Sequence, residues 1–284
     1  LNWNTAGAGD EFQRWDTSVK AASADLDFRN VINQFGYTVE IDPYNPTAVP
    51  AKRTALGRFA HEGAWPGPVV AGRPVVFYQG DDNRGDYIYK YVSTANWDPA
   101  DGTAAQTLGT NRMNIGAKYL DSGTLYVARF NANGTGTWLP LPSVEGSLNT
   151  RIAADAAGAT RMDRPEWGGV NPINGEVYMT LTNNTATNRI TDGAVSGTIA
   201  LTDAANPRHY NDRTTGASNQ FGNANGHIIR WHEAGDNAAA TTFTWDIYLF
   251  GSRASQTDTA NGNISGLVQD NDFSSPDGLW FARP

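Results

Sequence analysis

The chain has 284 residues, with 21 basic and 29 acidic side chains for a formal charge of −8, 30 glycines, nine tryptophans and no cysteine. The lack of cysteine excludes disulfides, thiolate catalysis and sulfur-ligated zinc, and an acidic balance without a Lys/Arg stripe argues against nucleic acid or anionic membranes as partners. A mean hydropathy of −0.48 with 39% hydrophobic residues describes a globular chain with no transmembrane segment.

Short runs of β-branched and aromatic residues, bounded by Gly, Pro, Asn and Asp, predict an all-β fold. In chain order the predicted strands cover residues 36–41, 74–79, 86–92, 123–130, 175–181, 227–231 and 243–250. Between them, residues 94–114, 143–163, 185–225 and 252–274 are rich in Asn, Thr, Ala and Gly and read as long loops.

An internal repeat organises these strands. Glu62-Gly-Ala-Trp65 followed by the strand from Pro74 matches Glu166-Trp-Gly-Gly-Val170 followed by the strand from Glu176. Aligning Val75 with Val177 places Asp81 on Asn183 and Asp82 on Asn184, and each unit continues into a second aromatic-rich strand. A third copy opens at Ser275-Pro-Asp-Gly-Leu-Trp-Phe281, with Asp277 in the position of the two glutamates. Repeats of this kind indicate a propeller, in which an acid at the start of each inner strand converges with its counterparts near one mouth of the channel. Convergent carboxylates make a hard-cation site.

Other motifs narrow the chemistry. His61-Glu62 and His232-Glu233 lack the second histidine of a helical zinc-protease motif, and no serine-hydrolase elbow or phosphate-binding glycine loop is present. Gly80-Asp-Asp-Asn-Arg-Gly-Asp86 concentrates oxygen ligands in a turn and suits calcium, though such residues also favour turns for backbone reasons. Asp163-Arg-Pro-Glu-Trp167 sets a guanidinium, which matches phosphate bidentately, beside carboxylates; its plain alternative is a surface Arg–Asp pair.

Taken with Phe35–Pro43, Lys52–Ala64, Gly80–Asp82, Asp86–Tyr91, Gly123–Phe130, Met162–Trp167, Gly175–Tyr178, Leu181–Asn184, Asn206–Arg208, Gly226–Trp231 and Ser275–Phe281, the sequence resembles the PhoX family of alkaline phosphatases, in order over about residues 13 to 282. The resemblance implies an all-β, six-bladed propeller, exported to the bacterial periplasm, cell surface or medium, that hydrolyses phosphomonoesters with an iron (Fe3+) and calcium (Ca2+) cluster. It implies Glu62, Asp81, Glu166 and Asp277 as metal ligands, Arg164 as the phosphate-binding group, and Arg164 and Glu166 as catalytic residues. It leaves Asn183, Asn184, Asn206, His209 and His227 without assigned roles.

The family's amino-terminal third, with its cysteine ligand, has no counterpart here. Residues 1–284 are therefore expected to form a single, incomplete propeller domain within a longer polypeptide, with the remaining blades coming from the same or another chain, and the iron centre is not completed by this chain alone. Two other readings of the residues stand beside the phosphatase: a noncatalytic, calcium-stabilised surface propeller, and a calcium-dependent lactonase or esterase. The arginine of Asp163–Trp167 suits phosphate better than a neutral ester.

Overall fold

The computed structural model describes residues 18, 20–23, 27–107, 109, 111–185, 202–212 and 221–282. In chain order the strands are β1 (Val39–Glu40), β2 (Ala51–Lys52), β3 (Trp65–Pro66), β4 (Pro74–Gly80), β5 (Ile88–Asn96), β6 (Gly123–Phe130), β7 (Thr135–Pro140), β8 (Pro165–Val170), β9 (Val177–Leu181), β10 (Asn184–Thr185), β11 (Tyr210–Asn211), β12 (Phe221–Asn223), β13 (His227–Glu233) and β14 (Thr242–Phe250). Among the described residues four α-helices interleave with them: α1 (Pro99–Ala105), α2 (Arg112–Leu120), α3 (Ser143–Leu148) and α4 (Thr150–Ala157).

The fold is all-β and propeller-like. Nine strands form one antiparallel sheet in the order β3-β4-β5-β6-β7-β14-β13-β9-β8. Beyond the edge strand β3, which pairs with β4, it consists of two four-stranded units, β4 to β7 and β8-β9-β13-β14, of the kind from which propeller blades are built. They join where β7 pairs with β14, Thr137 opposite Thr242. The other ends approach each other too, with β8 packed beside β3 and β4. At that closure the Trp65 and Trp167 rings lie 5.7 Å apart.

The sheet thus wraps an interior core. Val76 and Tyr78 of β4, Ile88 of β5, Phe130 of β6, Trp138 of β7, Met179 of β9, Trp231 of β13 and Phe243 of β14 pack together there. On the opposite face of β5, Tyr89 and Tyr91 join Leu56, Phe59 and Ala153 and Ala154 of α4 in a second cluster. Burial on both faces explains why the central strands read as near-continuous apolar runs, β9 being buried at every position.

Lys90 and Glu233 form an ion pair embedded in the interior. Lys90 of β5 donates to Glu233 Oε1 at 3.1 Å and to the carbonyls of Ala238 and Ala240. Glu233 also accepts from Tyr78 Oη at 2.9 Å and from Trp138 Nε1 at 3.0 Å, so the buried charge is fully partnered.

Two expected loops are not loops. Residues 94–114 contain α1 and the start of α2, and residues 143–163 contain α3 and α4. Local capping makes the first helix: Asp98 accepts from Ala100 N at 2.9 Å, and Pro99 sits in its opening turn. The last ends at Gly158 with φ 71°, a left-handed C-cap. Residues 252–274 do run as turns, whereas much of 185–225 lies outside the described residues. The 275–281 segment, read as the first strand of another blade, makes no ladder among the described residues; side-chain hydroxyls hold it instead.

Candidate metal and phosphate site

The site lies where the two ends of the sheet meet. Glu62 comes just before β3, and its neighbours run beside the turn after β4: Ala60 N donates to Asp81 Oδ1 at 3.2 Å, and Asp82 N donates to Ala60 O at 2.9 Å. Glu166 sits on β8. Asp277 is brought in by the end of β9, where the hydroxyls of Thr180 and of Thr182, just past the strand, donate to the carbonyls of Asp277 at 2.7 Å and Pro276 at 3.0 Å. Carboxylate oxygens of Glu62, Glu166 and Asp277 all fall within 4.8 Å of one another.

Close backbone contact sets this geometry. A Cβ on Gly80 would stand 2.6 Å from Glu166 O and 2.8 Å from Pro165 O, so β4 reaches β8 only because position 80 has no side chain. The crowding of acids has an electrostatic signature. Burial, together with Asp277 and Asp82, pushes the Glu166 carboxyl up to about 7, against the opposing pull of Thr182 and Arg164. Burial, Asp82 and Asp277 likewise raise Glu62. Like-charged carboxylates that resist ionisation together are relieved by a cation, and an all-oxygen donor set suits a hard one.

Arg164 is the guanidinium of the site. Its Nε donates to Asp82 Oδ1 at 2.8 Å, and its Nη2 to Asp82 Oδ2 at 3.2 Å and to Glu166 Oε1 at 2.6 Å. Nη1 has no hydrogen bond among the described residues. The plain alternative, a surface pair with the adjacent Asp163, is not what forms: the acids Arg164 meets are Asp82 and Glu166. The backbone at Arg164 has φ 59°, a left-handed conformation that costs a non-glycine residue about 1–3 kcal/mol and is further disfavoured before a proline.

Asp81, expected among the ligands, is not brought into the three-carboxylate group. It is fully buried, and both its oxygens accept from Arg151, Nε at 2.8 Å and Nη2 at 2.5 Å. Burial pushes its carboxyl up to about 6 despite that partner. Arg151 lies 70 residues away on α4, so no local pattern announced the pair. Asp82, by contrast, was visible beside Asp81 in the turn, and the structure gives it the contact with Arg164.

The unassigned polar residues make contacts outside the carboxylate group. Asn183 accepts from Arg84 Nη2 at 3.0 Å, and Asn184 Nδ2 donates to Asp163 Oδ1 at 2.9 Å. Asn206 Nδ2 donates to Arg161 O at 2.8 Å and to Asp203. His227 is buried, with Nε2 2.8 Å from Ala205 O and Nδ1 2.8 Å from Asn223 Nδ2. Neither His227 nor His209 joins the carboxylate group.

Comparison with known proteins identifies the family. A family model described as "Alkaline phosphatase PhoX" matches residues 2–284. The chain belongs to the PhoX family of alkaline phosphatases. Among solved structures, Pseudomonas fluorescens PhoX in complex with vanadate, a transition state analogue, is similar at 33% sequence identity with a TM-score of 0.71. The match covers 99% of this chain and 49% of that one, so the chain spans about half the length of the PhoX structure it matches. No curated protein sequence matches the chain. No helix among the described residues is long and apolar enough to cross a membrane.

Proposed function

We propose that this chain forms part of the active site of an exported, metal-dependent phosphomonoesterase of the PhoX type, in which Glu62, Glu166 and Asp277 hold metal and Arg164 binds the substrate phosphate. The observation that carries the reading is the meeting of three carboxylates from distant segments, with an arginine fork fixed against one of them. Calcium and ferric iron both fit the all-oxygen donor set. Bound there, the metal would supply charge neutralisation and Lewis-acid polarisation at the phosphate.

The residues of this chain do the positioning. Asp82 and Glu166 orient the Arg164 guanidinium, leaving Nη1 for a phosphate oxygen. With a cation held by the carboxylates, a phosphate between it and the arginine would have its charge balanced from both sides, which would favour the more highly charged transition state. The β4–β8 contact and the Thr180 and Thr182 hydroxyls fix where Glu166 and Asp277 stand. Asp81, paired with Arg151, holds the 80–82 turn in place and becomes a ligand only if that pair opens.

The test is hydrolysis of p-nitrophenyl phosphate by the full-length protein before and after chelation, with elemental analysis of the preparation. Activity lost to chelator and restored by metal, with iron near stoichiometry, supports the reading. Bound calcium without hydrolysis favours a noncatalytic propeller.

A further inference from the structure

Arg164 holds a backbone conformation that its residue type and the following Pro165 both oppose, so its neighbours must impose it. Asp163 is the neighbour with the means. It is 1% exposed, and each of its oxygens accepts from a different carboxamide, Oδ1 from Asn184 Nδ2 at 2.9 Å and Oδ2 from Asn223 Nδ2 at 2.9 Å. Those two asparagines face each other across the β10–β12 ladder and form one docking surface.

The orientation of that surface is itself fixed. Buried Arg208 donates from Nε to Asn223 Oδ1 at 2.9 Å, which commits the other end of that carboxamide, its NH2, to Asp163. Arg208 is anchored in turn on the Gly251 and Gly262 carbonyls. On the backbone side, Asp163 bridges Arg84, and the flanking bonds Gly85 N to Met162 O and Met162 N to Asp86 O strap it to the turn that carries Asp82. Just after Arg164, its own carbonyl accepts from Thr182 N at 3.1 Å.

We propose that Asp163 is a positioning residue for phosphate binding: clamped between Asn184 and Asn223, it holds Arg164 in the left-handed conformation that places the guanidinium between Asp82 and Glu166. This rests on the reading of Arg164 as the phosphate-binding group. Without the clamp the backbone relaxes toward the extended region and the fork leaves its two carboxylates, a displacement of the size that costs about 100-fold in rate.

The test is a double-mutant cycle in the full-length phosphatase with p-nitrophenyl phosphate, using Asp163→Ala, Arg164→Ala and the combination. Asp163→Ala is expected to lower kcat/KM about 100-fold, with KM raised, and to have no further effect once Arg164 is alanine. Partial unfolding lowers kcat at unchanged KM, so a fall of that form overturns the proposal, as does an equally large effect in the Arg164→Ala background. If Asp163→Ala does not fold, Asn184→Ala removes one clamp while keeping the carboxylate, and enters the same cycle with a smaller fall in the same sense. Wild-type kinetics in Arg164→Ala would instead remove the phosphate reading of Arg164, and with it this inference.

Discussion

Arg164 Nη2 lies 2.6 Å from Glu166 Oε1, two residues along the same chain, on the far side of Pro165. The left-handed arginine and the intervening proline set the Arg164 guanidinium and the Glu166 carboxylate against each other on one face. Lysine reproduces the charge of Arg164 but not its planar fork, and cannot serve Asp82, Glu166 and a phosphate together. Arg164→Lys is therefore expected to lower kcat/KM for phosphomonoesters by about 100-fold, the scale for losing one preorganised donor. Steady-state kinetics check it, and a change under threefold would show that the fork is not needed.

The raised Glu166 carboxyl predicts a pH dependence. Its folded value of about 7 lies above the usual 4.5, so the metal-free folded protein keeps a proton that the unfolded chain releases. The associated stability is complete below about pH 4.5 and is lost as the pH rises through 7. Metal binding requires the ionised form, so affinity runs the other way and strengthens from pH 5 to 7. Thermal melts in chelator are expected to give a lower Tm at pH 8 than at pH 5, with added calcium restoring the loss at pH 8. Equal calcium effects at both pH values would contradict this.

Gly80 predicts a steric effect. Its Cβ would press on backbone atoms of Pro165 and Glu166, which cannot swing aside as a side chain can. Gly80→Ala is expected to cost about 1–3 kcal/mol of stability by overpacking and to weaken metal binding by moving Glu166. Urea unfolding and metal titration check the two effects, and unchanged metal affinity would show that the β4–β8 contact does not set the site.

The interior ion pair predicts a stability effect separate from catalysis. Lys90 is fully buried, and burial lowers its pKa to about 8 in spite of Glu233. Lys90→Met leaves Glu233 with Tyr78 and Trp138 as donors but without a counter-charge, at a cost of about 3–5 kcal/mol. The folded variant is expected to keep its metal content and KM, since the pair does not touch the carboxylate group. Replacing Lys90 by Met and Glu233 by Leu together is expected to recover part of the loss.

How far the sequence revealed this structure depended on the kind of signal. Strands β4, β5, β6, β9, β13 and β14 were legible from their β-branched and aromatic residues, which form a continuous run where both faces are buried, as in β9, and alternate with polar ones where one face is exposed, as in β14. Helix α1 carried its cap and proline in plain view, but its Ala, Gly and Thr content masked them. Strand β8 has two glycines and only one β-branched residue, and reads as a turn by composition. The meeting of Glu62, Glu166 and Asp277 was anticipated by the repeat and the family resemblance. The fates of the aligned acids and amides were not, since the repeat equates positions that the structure uses differently: Asp81 binds Arg151 while Asn183 meets Arg84, and Asp82 binds Arg164 while Asn184 meets Asp163. Those partners come from elements far along the chain, beyond the reach of any local pattern.

The proposed role of the Glu62, Glu166 and Asp277 carboxylates is to hold the metal on which phosphate ester hydrolysis depends. Its most direct measurement is kcat/KM for p-nitrophenyl phosphate of the full-length protein carrying both Glu166→Ala and Asp277→Ala, at saturating calcium and iron. The account predicts a loss of at least about 1,000-fold, the scale of charge stabilisation at a phosphoryl centre, in a variant that still folds. Full activity in that double variant would contradict it.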